Sequence, residues 1–258
     1  MAAQSIDEVI ARLQSLDQSL PPSDGVRWFN RLYLDVTLAV RTYCRSGQLK
    51  APPFLEQLDV YFGNRYFDAF DAAASGSDVP ECWAPLFDAR HDTGIAPLQF
   101  ALAGMNAHIS HDLAIGVVAT CEALAIEPAD NSPQHGDYDA VNIILKQTEA
   151  QTKQWLLTGA IKELDHAVAP VDDAVAIWSI ERARDAAWIR AEVLWQLRGH
   201  PELTGTYLAV LDGTVGMEGR ALLLPHAVSG QDPLLAGARW AESAVRSASS
   251  WLGHLLRP

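Results

Sequence analysis

The stretch Gln99 to Leu113, QFALAGMNAHISHDL, limits the fold more than any other, because it sets Asn106, His108, His111 and Asp112 in a run otherwise built of small and apolar residues. At 100° per residue, Ala101, Gly104, Met105, Ile115 and Ala119 share the side that carries His108 and Asp112. The opposite side offers Gln99, Asn106 and Ser110 as its polar groups. A helix apolar nearly all round is a buried one, so other helices must surround it. Its imidazoles and carboxylate must be hydrogen-bonded, ion-paired or metal-bound, since a bare buried polar group costs roughly 2–7 kcal/mol.

The remaining periodicity is helical, with almost no alternating strand pattern. Ser5 with Glu8 forms a capping-box signature that opens a first amphipathic helix on Ile6, Val9, Ile10 and Leu13. Pro and Gly punctuation predicts further helices over Gly25–Ser46, Pro53–Ala74, Trp83–Ala89, Pro97–Ala125, Gly136–Ala167 and Val171–Arg198. An irregular segment around Gly213, Gly216 and Gly219 follows, and then a last helix over Leu234–Leu256. No composition shift or low-complexity linker divides residues 1–258, and no fixed-period repeat is visible. The expected fold is all-α: a single large multi-helix bundle with a buried central helix.

Charge and cysteine usage exclude several function classes. A net charge of −13 argues against a nucleic-acid groove or an anionic membrane surface as the main partner, since both need clustered Lys and Arg. Cys44, Cys82 and Cys121 are widely spaced and odd in number, which indicates neither a disulfide framework nor a zinc ribbon. The N-terminus lacks a basic segment followed by an apolar one, and His108 to Asp112 interrupt the most apolar helix. A cytoplasmic protein without signal peptide or membrane span is expected, and oligomerisation is left open. There is no G-x-G-x-x-G after a strand, no G-x-x-x-x-G-K-[ST], no G-x-S-x-G and no H-E-x-x-H, so nucleotide cofactors and serine-hydrolase chemistry are not expected.

Four constellations remain as carriers of chemistry. On a helix, His108 and Asp112 stack at i and i+4 and His108 and His111 are neighbours at i and i+3, a spacing that suits a metal site or a hydrogen-bonded core. His91 and Asp92, in FDARHD, lie one loop upstream and would complete a mixed imidazole and carboxylate shell suited to iron, manganese or zinc. The plain alternative for them is a helix end, with His91 complementing the dipole and Asp92 starting a turn. Asn64, Asp68 and Asp71 recur at i, i+4 and i+7, a weak match to magnesium-diphosphate motifs. In IWSIERARDAAWIRAEVLWQ, Glu181, Asp185 and Glu192 share a side with Trp178, Trp188 and Trp195. That surface fits either a pocket wall that raises a carboxyl pKa or an aromatic seam in which arginines pair with the acids. His135 and Asp139 open a polar stripe that otherwise reads as solvated.

The segments RWFNRLYLDVT (Arg27 to Thr37), NRYFDAF (Asn64 to Phe70), QFALAGMNAHISHDL and GRALLLP (Gly219 to Pro225) resemble those of a bacterial family of uncharacterised helical proteins, a domain of unknown function. The resemblance spans most of the chain. It implies one helical domain with a recurrent Asn-x-His element at Asn106 and His108, and it carries no activity. It also allows Asn106 and His108 to act without metal, the histidine as acid or base and the amide orienting a substrate carbonyl.

Together these features predict a metal-dependent enzyme of secondary metabolism acting on a small, largely apolar molecule. Asn106, His108, His111 and Asp112 would do the chemistry, a divalent iron, manganese or zinc ion would be held by His91, Asp92, His108 and Asp112, and Trp178, Trp188, Glu181 and Asp185 would line the substrate pocket. The alternatives are a metal-independent acid-base cyclase or isomerase and a noncatalytic small-molecule carrier or sensor.

Overall fold

Ser5 opens the first helix as its spacing predicts: in the computed structural model, which describes residues 2–145 and 180–224, its hydroxyl accepts from the Glu8 amide at 3.2 Å. Glu8 Oε2 accepts in return from the Gln4 amide. The helix, α1 (Ile6–Ser19), buries the four apolar residues that define its face, Ile6, Val9, Ile10 and Leu13. The next helices are α2 (Val26–Cys44), α3 (Pro52–Ser75) and the short α4 (Ala84–Ala89). Helix α3 starts on prolines whose missing N–H groups cost nothing at a first turn, and it ends on Gly76 at φ +70°, a left-handed cap open to glycine.

The His-bearing segment is continuous but not uniform. Helix α5 (Pro97–Ala107) runs into a π-helical turn, His108–Asp112, and leaves it as α6 (Leu113–Ala123). The Leu113 amide bonds to the His108 carbonyl, an i→i+5 contact that inserts one extra residue into the turn. Helices at 133–145 (α7), Ile180–Leu197 (α8) and Pro201–Leu222 (α9) follow. No strand occurs among the described residues, and none of their helices is long and apolar enough to cross a membrane.

The central helix is buried because it is boxed in. α2 and α9 pack on α5, α3 and α8 pack on α6, and α1 closes the layer over α2 and α3. Every residue from Gln99 to Leu113 is buried. Gln99 fastens the start of the helix: its Oε1 accepts from the Ala96 amide and its Nε2 donates to the carbonyls of Leu222 and Leu224.

One element differs from its sequence expectation. Gly213, Gly216 and Gly219 lie within helix α9 and not in an irregular segment. A Cβ on Gly216 would collide with the backbone carbonyl of Glu81, and one on Gly219 would touch Pro85. The glycines therefore allow α9 to press against the segment leading into α4, and this close packing outweighs their poor helix propensity of roughly 1 kcal/mol each. The later part of the helix expected over Gly136–Ala167, the start of that over Val171–Arg198 and all of that over Leu234–Leu256 lie outside the described residues.

Candidate functional site

Asp112 is the hub of the π-turn. Its Oδ2 accepts from the Trp83 indole Nε1 at 2.9 Å and from His108 Nδ1 at 3.3 Å, and its Oδ1 accepts from His111 Nδ1 at 2.9 Å. The Arg65 guanidinium stands 3.8 Å from Oδ1. Burial alone would raise this carboxyl, but hydrogen bonds from the two histidines outweigh it and hold the group well below the usual carboxylate range. With the Asp112 carboxylate on its Nδ1, His108 carries its proton there and turns Nε2 outward as a lone-pair atom, and the other oxygen of the same carboxylate holds His111 Nδ1.

The two imidazoles face different neighbourhoods. His108 lies flat on Phe62, with ring centroids 3.4 Å apart and planes 8° apart, and meets Tyr33 edge-on at 4.5 Å. Burial pushes its pKa down and its hydrogen bond to Asp112 opposes this, leaving the ring neutral at physiological pH. Its Nε2 is buried without a hydrogen-bond partner. His111 points the other way, its Nε2 3.8 Å from Asp212 Oδ1.

His108 lines a cavity of about 130 Å³ between α2, α3 and the central helix, walled by apolar side chains that include Leu32, Leu58, Leu102 and Met105. A void near 150 Å³ is enough to hold a benzene ring in an apolar core. Asp59 of α3 and Tyr33 of α2 also line it, and Asp59 Oδ2 and the Tyr33 hydroxyl are likewise buried without partners. Removal from water raises the Asp59 carboxyl to about 7. Arg184 reaches the cavity from α8, held by Asn142 Oδ1 and the Tyr138 carbonyl, both at 2.7 Å.

The residues picked out in the sequence distribute unevenly around this cavity. His108, His111 and Asp112 come together, but His108 is the one of the three that lines the cavity. Asn106 is turned away, and its Nδ2 donates to the Val215 carbonyl, tying α5 to α9. His91 and Asp92 are exposed, and Asp92 Oδ1 accepts from the Gly94 amide in a tight turn, the local role that its position beside Thr93-Gly94 also allowed. Asn64 clamps the backbone of Ala3 and Asp71 pairs with Arg12, so two of the three residues on that face of α3 fasten the N-terminal segment and α1, while Asp68 is exposed.

On α8 the acids and tryptophans part company. Trp188 is buried between His135, stacked at 4.5 Å, and Tyr138 at 4.9 Å, whereas Glu181 and Asp185 are exposed. The buried stripe of α8 runs through Arg184, Ala187, Ala191 and Leu194. Trp188 sits on the flank of that stripe and turns its large ring inward, while the acids, a little further round, stay in water. Glu181 and Asp185 therefore line no aromatic wall, whereas Glu192 is half-buried beside Trp188, and Trp178 lies outside the described residues.

Sequence reasoning missed Asp59, Tyr33, Trp83 and Asp212. Asp59 carried a readable signal: it shares a helix face with Leu55, Phe62 and Tyr66, at i−4, i+3 and i+7, and a lone carboxylate on such a face is a buried one. Trp83 and Asp212 carried none, because their partners are distant in sequence.

No curated protein and no solved structure matches the chain. The profile of one family, described as "Family of unknown function (DUF5995)", covers residues 6–225 and so takes in the cavity, the π-turn and α9; the chain belongs to that family.

Proposed function

We propose that this protein binds a small, largely apolar molecule carrying one polar group in the cavity beside His108, and that His108 and Asp59 move protons on it. The observation that carries the reading is that three buried polar atoms without partners, His108 Nε2, Asp59 Oδ2 and the Tyr33 hydroxyl, belong to residues lining one apolar void. Each such atom costs about 1–3 kcal/mol in a folded core, so a purely structural interior has reason to lose them. A ligand with a carbonyl or hydroxyl group would satisfy them.

The division of labour follows from the surroundings. Asp112 fixes the tautomer of His108, which leaves Nε2 as a base. Burial keeps a proton on Asp59 up to a pH of about 7, so it serves as the acid. The noncatalytic carrier is the second reading, favoured by the strongly apolar walls.

α-Proton exchange separates the two. Cyclohexanone in deuterated buffer, followed by NMR, should exchange its α-protons faster with the wild type than with buffer alone, as His108 Nε2 takes the proton while Asp59 donates one to the carbonyl oxygen. His108→Ala and Asp59→Asn should each slow that exchange by about 10²–10⁴-fold, the usual worth of a positioned acid or base. Saturable binding of cyclohexanone with no exchange above buffer would overturn the catalytic reading and leave the carrier.

A further inference from the structure

On the far side of the π-turn from the cavity, Cys82, His111 and Asp212 each present a ligand-type atom, and these three atoms lie within 4.8 Å of one another. The three residues come from separate parts of the chain: Cys82 from the segment before α4, His111 from the π-turn and Asp212 from α9. We infer that they form a site for a transition-metal cation, with zinc as the best match.

Three observations carry this beyond a chance grouping. The donor set is one thiol, one imidazole and one carboxylate, a mixture that selects zinc over calcium or magnesium. His111 is 4 % exposed, and its Nδ1 is held by Asp112 at 2.9 Å, which leaves Nε2, 3.8 Å from Asp212 Oδ1, as the ring atom that faces the cluster. A carboxylate behind a ligating histidine is the usual outer partner of a metal-bound imidazole. Asp212 is anchored as well: its oxygens accept from the backbone amides of Cys82 at 2.8 Å and Glu81 at 3.0 Å, and the Cys82 thiol donates to the same carboxylate, so the thiol and the carboxylate already meet at the cluster.

The dimensions agree. Bond lengths of about 2.0–2.3 Å to nitrogen, oxygen and sulfur place tetrahedral ligand atoms roughly 3.3–3.8 Å apart. His111 Nε2 and Asp212 Oδ1 are already 3.8 Å apart, and drawing in the rest requires side-chain shifts of about 1 Å. Cys82 and His111 are buried and Asp212 is partly open, so its side offers the entry path and a fourth position for water. Binding would release the Cys82 thiol proton to solvent and leave a thiolate on the metal. The site does not depend on any chemistry in the cavity, because it uses the opposite imidazole of the His-Asp-His unit.

Cobalt(II) tests the inference on untagged full-length protein stripped of metal. The wild type should bind one cobalt per chain and show a sulfur-to-cobalt charge-transfer band in the near ultraviolet, displaced by zinc. Cys82→Ser should lose the band and Cys44→Ser should keep it. Loss of outer partners alone typically weakens a metal site by about 10–100-fold, so Asp212→Asn, on the more open rim and least disruptive to the core, should weaken cobalt binding at least as much. A folded wild type with no charge-transfer band at molar excess of cobalt would overturn the site. A band that survives in folded Cys82→Ser would do the same.

Discussion

Replacing Asp112 with alanine should lower stability by about 3–5 kcal/mol, the range for breaking a buried charged network, and the melting temperature by on the order of 10 °C. The change strands the Trp83 indole N–H and both Nδ1–H groups in a site where the carboxylate is 1 % exposed, and it removes the charge that faces Arg65. Asp112→Asn should cost roughly half as much. Its remaining oxygen still accepts from Trp83 and His108, and its amide can donate to His111 if that ring moves its proton to Nε2. Thermal unfolding of the two variants against the wild type measures the difference. Equal losses would mean that the negative charge and the paired acceptor oxygens, which both variants remove, hold the π-turn, and that the single acceptor left in Asp112→Asn contributes nothing.

Asp59→Asn should act in the opposite direction, and its effect should depend on pH. The folded carboxyl titrates at about 7, well above the ordinary aspartate value of about 3.9, so the native state holds its proton more tightly than the unfolded chain does. The stability tied to that protonated form is fully present below the ordinary value and is lost as pH rises toward 7. Three pH units at about 1.4 kcal/mol each give a loss of about 4 kcal/mol for the wild type, complete just above pH 7. The asparagine variant has no such slope. The stability gap between them, from urea unfolding at a series of pH values, should therefore widen in favour of Asp59→Asn from about pH 4 to about pH 8, by about 4 kcal/mol. A gap that stays constant over that interval would place Asp59 in contact with water or with a cation.

Much of the frame is legible in the sequence alone. The four apolar residues of α1, the capping role of Ser5 and the burial of the Gln99 to Leu113 segment all follow from local periodicity, which is dictated by 3.6 residues per turn. The site was legible only where its chemistry is local. His108, His111 and Asp112 are neighbours in sequence and proved to be one hydrogen-bonded unit. The π-turn was not legible, because one extra residue in a helical turn leaves no mark on an apolar pattern, yet it helps to decide which imidazole meets the cavity and which faces Asp212. The reversal of Asn106, from expected site residue to a clamp on Val215, depends on a helix more than a hundred residues away. The same long-range packing explains why the glycines of α9 sit in a helix: the Glu81 backbone beside Gly216 is invisible to any window around residue 216.

Occupancy of the cavity by a ring-sized molecule is the most direct test of the functional proposal. Phenol combines an apolar ring of the right size with one hydroxyl group for His108 Nε2 or Asp59, and isothermal titration reads its binding. The wild type should bind one phenol per chain saturably, and Leu102→Trp, which fills the void from the wall of α5, should remove that binding while the protein stays folded. A wild type that shows no saturable uptake of phenol, or a Leu102→Trp variant that binds it as well as the wild type does, would contradict a ligand site beside His108.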